Sequence, residues 1–107
     1  MVIIETSVFT RQVRQLLSDE EYRELQAALV NRPTAGSLIV SSGGLRKLRW
    51  ATKGKGKRGG SRVIYYWAVM PEQILMLLIY SKSKREDLTR DQLKTLKKIV
   101  EEEFYER

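Results

Sequence analysis

The sequence predicts an α+β fold, with a small, mainly antiparallel sheet covered by two N-terminal helices and followed by a C-terminal helix. Apolar residues recur every three or four positions in two early segments and in one late segment, which is the period of a helix. Between them, β-branched and aromatic residues run over strand lengths. Because the order is strand, two helices, three strands and a helix, we expect the helices on one side of the sheet.

The N-terminal third is predicted to form one strand and two helices. Residues 2–4 are β-branched and predict a strand, and apolar residues with helical spacing follow over 9–17. Ser18, with Glu21 three residues later, has the form of a capping box and begins the second helix. Pro33 should end that helix because proline cannot continue it.

The rest of the chain is predicted to form a meander of three strands and then a helix. The strands cover residues 45–51, 62–69 and 74–80. Glycine-rich loops precede the first two strands, over residues 34–44 and 52–60. Thr89 and Gln92 have the form of a second capping box, and an apolar stripe continues from there to Phe104.

Length and composition favour one domain over residues 1–107 and exclude several kinds of chemistry. The chain has no cysteine and no histidine, so it lacks the usual transition-metal ligands, and a serine triad would have no base. We therefore expect neither a metal nor a cofactor. The longest apolar run, 74–80, is too short to cross a bilayer, and the first residues do not resemble a secretion signal. The expectation is a cytoplasmic protein without a membrane partner.

Positive charge is concentrated in the middle of the chain. No Asp or Glu lies between Glu24 and Glu72, whereas nine of the 20 basic residues do, and the remainder holds 11 basic and 13 acidic residues. Cations without nearby carboxylates repel one another in the folded state, and a bound polyanion relieves that repulsion. Nucleic acid is the first candidate partner.

Strand alternation predicts where the basic residues point. Lys47 and Arg49 should project from one face of the strand over 45–51, and Arg46 from the other. Arg62, early in the next strand, would complete a phosphate pocket with them, although ordinary exposed charge is the alternative. Further nucleic-acid contacts are assigned to Arg46, to Tyr66 as a stacking platform, and to the cations of the glycine-rich loop, namely Lys53, Lys55, Lys57 and Arg58.

These residue types suit cleavage of RNA in which a 2′-hydroxyl of the RNA itself attacks the adjacent phosphate. The reaction needs a base for that hydroxyl, a cation for the charge developing on the phosphate, and an acid for the leaving 5′ oxygen. Arg62 and Arg49 suit the second task because they are always charged. A lysine crowded by other cations gives up its proton more readily. The candidates for moving protons, which the sequence does not order, are Tyr80, Lys47, Lys82 and Lys84.

Four segments form a recognisable set: Gly-Gly-Leu-Arg-Lys-Leu-Arg at 43–49, Lys-Gly-Lys-Gly-Lys-Arg-Gly-Gly-Ser-Arg at 53–62, Val-Ile-Tyr-Tyr at 63–66, and Leu-Ile-Tyr-Ser-Lys at 78–82. Together with the helix from Thr89, they resemble the RelE/HigB superfamily of bacterial toxins, and most closely its HigB-like branch. The resemblance implies a RelE-like compact fold, a toxin of a type II toxin–antitoxin pair, and cutting of messenger RNA in the A site of the small (30S) ribosomal subunit. It also implies an antitoxin that neutralises the toxin in a hetero-oligomeric complex.

The resemblance also implies roles for single residues. Arg62 falls on the arginine that stabilises the transition state, and Lys47 and Arg49 on the paired cations of the preceding strand. Ser83 and Thr89 stand where RelE has an arginine and its catalytic tyrosine, so the base and the acid stay open. Two other hypotheses are kept: a ParE-like gyrase poison, expected to lack the basic site, and a module that binds RNA or ribosomes without catalysis.

Overall fold

The structure is a computed structural model that describes residues 1–51, 60–83 and 87–104. In chain order its elements are β1 (Val2–Glu5), α1 (Ser7–Leu16), α2 (Asp19–Asn31), β2 (Ser37–Leu38), β3 (Leu45–Trp50), β4 (Ser61–Ala68), β5 (Gln73–Ser81) and α3 (Arg90–Phe104). In these ranges no helix has the length and apolar character needed to span a membrane.

Side-chain caps fix where the helices begin. The Ser18 hydroxyl accepts from the Glu21 N–H at 3.1 Å, and the Glu21 carboxylate accepts from the Ser18 N–H at 2.8 Å. Thr89 and Gln92 make the same reciprocal pair at the start of α3, at 3.1 and 2.8 Å. Each pair satisfies two backbone donors that a helix start leaves open. Both predicted capping boxes are therefore confirmed.

The five strands form one mixed sheet in the order β1-β5-β4-β3-β2. β3, β4 and β5 pair antiparallel in succession, which confirms the predicted meander. β1 joins as a parallel neighbour of β5. β2 was not predicted: its two residues lie in the glycine-rich loop and pair with Arg46 and Lys47 of β3.

Helices cover both faces of the sheet, so the expectation of helices on one side is wrong. Phe9 of α1 and Leu25 of α2 pack in one core cluster. Leu96 and Val100 of α3 pack in a second cluster, together with Leu45. The physical reason lies in β5, where apolar side chains project from both faces and therefore require a cover on each.

A bulge in β5 changes the alternation of its side chains. Ile64 pairs with Leu78 and Tyr65 with Met76, so Leu77 is the extra residue. Without it, Tyr80 would face the α1–α2 side. With it, Tyr80 belongs to the cluster on the α3 face of the sheet.

The Tyr65 hydroxyl anchors the loop that follows α2. It donates to the Pro33 carbonyl at 2.7 Å and accepts from the Gly36 N–H at 2.8 Å. A Cβ at Gly36 would lie 2.8 Å from the Tyr65 ring, so glycine is required for this approach. Burial raises the pKa of Tyr65. The tyrosine thus fixes the loop from which β2 begins.

Candidate phosphate-binding site

The strand register brings three predicted site residues into one row. Arg49 of β3 is the partner of Arg62 in β4, and Arg62 is the partner of Tyr80 in β5. Lys47 is the partner of Ile64 and lies one step along the same face. Partner residues in a sheet project from the same face, so all four residues share the face covered by α3.

Arg62 is a buried cation without an acidic partner among the described residues. Its residue is 4% exposed, and its Nη1 donates to the Ser61 carbonyl at 3.4 Å. Within the described ranges, no carboxylate lies at ion-pair distance from it. The neighbouring Arg49 is exposed and carries the same charge. Like charges on opposed strand positions destabilise a sheet, and a buried charge is costly unless paired, so this row suits a bound anion.

Lys47 is paired with an acidic residue from the far side of the site. Its ammonium lies 2.9 Å from a carboxylate oxygen of Asp87, with 31% and 77% of the two side chains exposed. The hydrogen bond and charge of Lys47 lower the pKa of Asp87. Asp87 and Leu88, with Lys47 and Tyr80, help line a cavity of about 50 Å³ between the sheet and α3.

Asp87 was missed by sequence reasoning. Forty residues separate it from Lys47, and neither spacing nor a local motif connects them. The only signal was the acidic pair Glu86-Asp87 between the block over 78–82 and the α3 capping box, and the sequence does not show which cation it meets.

Two predicted nucleic-acid contacts lie apart from the row. Arg46 projects to the opposite face, where its Nη1 donates to the Gly36 carbonyl at 2.8 Å. Tyr66 shares the α3 face, but it is half-buried and its ring lies 5.7 Å from that of Phe104, centre to centre. Arg46 is therefore placed to hold the loop, and Tyr66 to contact the C-terminal end of α3.

The remaining predicted residues lie at or beyond the end of the strands. Lys82 is half-buried, and its N–H donates to the Gly60 carbonyl at 3.3 Å. The Thr89 hydroxyl accepts from the Gln92 N–H at 3.1 Å and so caps α3. Ser83 shares a hydrogen bond of 2.8 Å with Ser81. Five predicted cations lie outside the described residues: Lys53, Lys55, Lys57, Arg58 and Lys84.

The fold and this site define a small α+β protein with a cationic row on one sheet face, under a C-terminal helix. The described residues contain no acidic group of three or more that could hold a metal ion.

Residues 1–105 match the model of the family described as RelE toxin of the RelE/RelB toxin–antitoxin system, and the chain belongs to this family. It is a toxin of a toxin–antitoxin pair, and its family implies a cognate antitoxin as partner. The predicted superfamily is confirmed, and the HigB-like branch stays a prediction.

Proposed function

We propose that this toxin is a ribosome-dependent endoribonuclease that cuts translated messenger RNA in the A site of the 30S subunit. The observation that carries the proposal is the row formed by Arg49, Arg62 and Tyr80, in which the buried Arg62 has no carboxylate partner among the described residues. The family match supports the same conclusion. Translated messages lie in the cytoplasm, where we expect the protein to act as one domain over residues 1–107.

The proposed reaction uses no atoms beyond the RNA and the protein. The 2′-oxygen of the RNA forms a bond to the adjacent phosphorus as the bond from phosphorus to the 5′ oxygen breaks. The 2′-hydroxyl proton goes to a base on the protein, and the leaving 5′ oxygen takes a proton from an acid. The products are a 2′,3′-cyclic phosphate and a 5′-hydroxyl end.

The two arginines are assigned to stabilising charge. Arg62, buried and held in the sheet, and Arg49 opposite it would donate to the non-bridging phosphate oxygens as negative charge builds there. Lys47 would contact the same or the neighbouring phosphate. Asp87 is a poor base near neutral pH, because its pKa is lowered by Lys47. Its role is to compete with phosphate for that lysine.

The proton carriers come from a short set. Tyr80 lies in the row beside Arg62, and Lys82 follows the end of β5 by one residue. These two, with Lys47 and Lys84, remain the candidates for base and acid. The loop cations Lys53, Lys55, Lys57 and Arg58 are proposed to contact RNA or ribosome.

Primer extension on a defined message in a reconstituted translation mixture tests the proposal. The wild-type toxin, an Arg62→Met variant and an Arg46→Met variant are compared, with and without ribosomes. Arg46 is the matched control because it is an arginine in the adjacent strand that projects from the opposite face.

Cuts that require both ribosomes and Arg62, and that persist in the Arg46 variant, are the expected result. Inhibited translation without any cut would refute the endonuclease and leave the RNA-binding module, whereas intact translation and an intact message would leave the gyrase poison. A wild-type toxin that stalls supercoiling by gyrase would identify the latter.

A further inference from the structure

Three basic side chains of α3 line a groove outside the proposed active site. Arg90, Lys94 and Lys97 recur at helical spacing, so they lie on one side of the helix. All three are exposed, and no carboxylate among the described residues lies within ion-pair distance of them. The groove has a volume of about 500 Å³, and its other lining residues are Val40, Ser41 and Leu93.

The charges of α3 do not complement the helix dipole. Arg90 and Asp91 balance one another in the first turn, whereas the last turn holds three carboxylates at 101–103 and no basic residue. Cations near a helix N-terminus and anions near its C-terminus are each unfavourable by about 0.3–1 kcal/mol. Arg90 with Lys94, and Lys94 with Lys97, are like-charged pairs at helical spacing, and such pairs destabilise a helix. Helix stability therefore does not explain these cations, and an anionic ligand would.

The wall opposite α3 is a turn with fixed geometry. The Ser42 side chain is buried and donates to the Ile39 carbonyl at 2.6 Å while accepting from the Leu45 N–H at 3.0 Å. Gly43 has φ +74°, and a Cβ there would lie 3.0 Å from the Lys97 side chain. The turn and the lysine stem thus pack closely, which gives the groove a defined wall before any ligand binds.

The groove is adjacent to the proposed active site. Leu93 lines both the groove and the small cavity that Lys47 and Tyr80 help to line. Ile39 lines the cavity and its neighbour Val40 lines the groove, so the same two segments border both spaces.

We infer that this groove binds the phosphate backbone of the RNA strand adjacent to the cut, an inference that rests on the proposed function for the identity of its ligand. Three cations on one side of the groove, with no carboxylate partner among the described residues, match the repeated charges of a phosphate backbone. The groove extends the contact of the RNA beyond the scissile phosphate, along the first half of α3.

Fluorescence anisotropy with 2′-O-methyl oligouridylates of about 3 and about 12 nucleotides tests the inference. These RNAs cannot be cleaved by their own 2′-oxygen, so binding is measured whether or not the protein is an enzyme. The groove variant is R90Q/K94Q/K97Q. The control R11Q/R14Q/R23Q removes the same charge from exposed positions of α1 and α2, on the other face of the sheet.

The groove variant should bind the short RNA as the wild-type protein does and lose affinity for the long one. Three lost phosphate contacts reduce the slope of log affinity against log salt by about 2. Between about 50 and about 200 mM salt, the wild-type protein should therefore lose about 20-fold more affinity than the variant. R90K/K94R/K97R should restore the wild-type slope, which excludes a folding defect as the cause.

Equal losses in the groove and control variants would overturn the inference, because only total charge would then matter. Unchanged affinity of the groove variant for the long RNA would overturn it too. If oligoglutamate binding were lost in the groove variant and RNA binding were kept, the groove would instead serve an acidic protein segment. Failure of the proposed function gives a different result. In that case the toxin does not cleave message on ribosomes, although its RNA binding still depends on the groove.

Discussion

Replacing Arg62 by methionine should make the protein more stable and inactive. Arg62 is 4% exposed as a residue, its neighbour across the strand is the like-charged Arg49, and no described carboxylate pairs with it. Replacing buried ion pairs by apolar residues of similar volume is often neutral or stabilises proteins by about 1–4 kcal/mol, and a buried cation without an acidic partner should gain from the same loss of desolvation cost. The hydrogen bond to Ser61, at 3.4 Å, is long and offsets at most about 1 kcal/mol.

The net expectation is a gain of about 1 kcal/mol in the free energy of unfolding, or roughly 4 °C in melting temperature for a chain of this size. Arg46→Met should instead lower the free energy of unfolding. Its loss leaves the Gly36 carbonyl without a charged donor now at 2.8 Å, and such bonds contribute about 1.5–3 kcal/mol.

Urea denaturation of the three proteins, followed by circular dichroism, measures both changes, and cleavage on ribosomes is assayed in parallel. If Arg62→Met lowers the free energy of unfolding by more than about 1 kcal/mol, Arg62 is a structural residue and the argument from its burial fails. If the Arg46 variant is inactive although still folded at the assay temperature, the division of the two arginines between site and scaffold is wrong.

Three further predictions concern single contacts. Ser18→Ala should lower the free energy of unfolding by about 1 kcal/mol, measured by urea denaturation, with cleavage unchanged, because it removes half of a capping box. Burial and a hydrogen bond to Glu5 raise the pKa of Tyr22 above its reference value of 10.0. The protonated tyrosine therefore stabilises the folded state below pH 10.0, and this contribution is lost as the pH rises above that value. In Tyr22→Phe the decline of stability above that pH should be shallower than in the wild-type protein, and an identical slope would refute the linkage. Asp87→Asn should tighten RNA binding in low salt, measured by anisotropy, because Lys47 is then free for phosphate, and the gain should vanish in high salt, where exposed charges are screened.

Local signals in the sequence account for most of the elements. The two capping boxes involve residues three apart, so their hydrogen bonds follow from the chain itself. The apolar stripe of α3 was also evident, but which face of the sheet it covers was not. That choice depends on β5, whose apolar residues project from both faces of the sheet and require a helix on each. The helical period of α3 does not indicate which of the two faces it covers.

The candidate site was predictable only within single strands. Alternation places Lys47 and Arg49 on one face, and the pairing of β3 with β4 confirms that Arg62 joins them. The position of Tyr80 depends on the bulge at Leu77, which no turn residue or glycine marks in the sequence. Bulges and ion pairs between distant segments are products of the closed fold, and this explains why they escaped prediction.

Several placements in this toxin are unfavourable for the fold and occur on the same face of the sheet. Arg62 is buried without a described carboxylate, Arg49 lies across the strand from it, and α3 aligns like charges at Arg90, Lys94 and Lys97. One such placement would be ordinary variation, but their number on one face argues for a common cause. A bound RNA backbone would neutralise them together, so ligand binding should raise the melting temperature more in low salt than in high salt. A stabilisation by RNA that is independent of salt would show that these charges do not act together, and the two proposals would have to be separated.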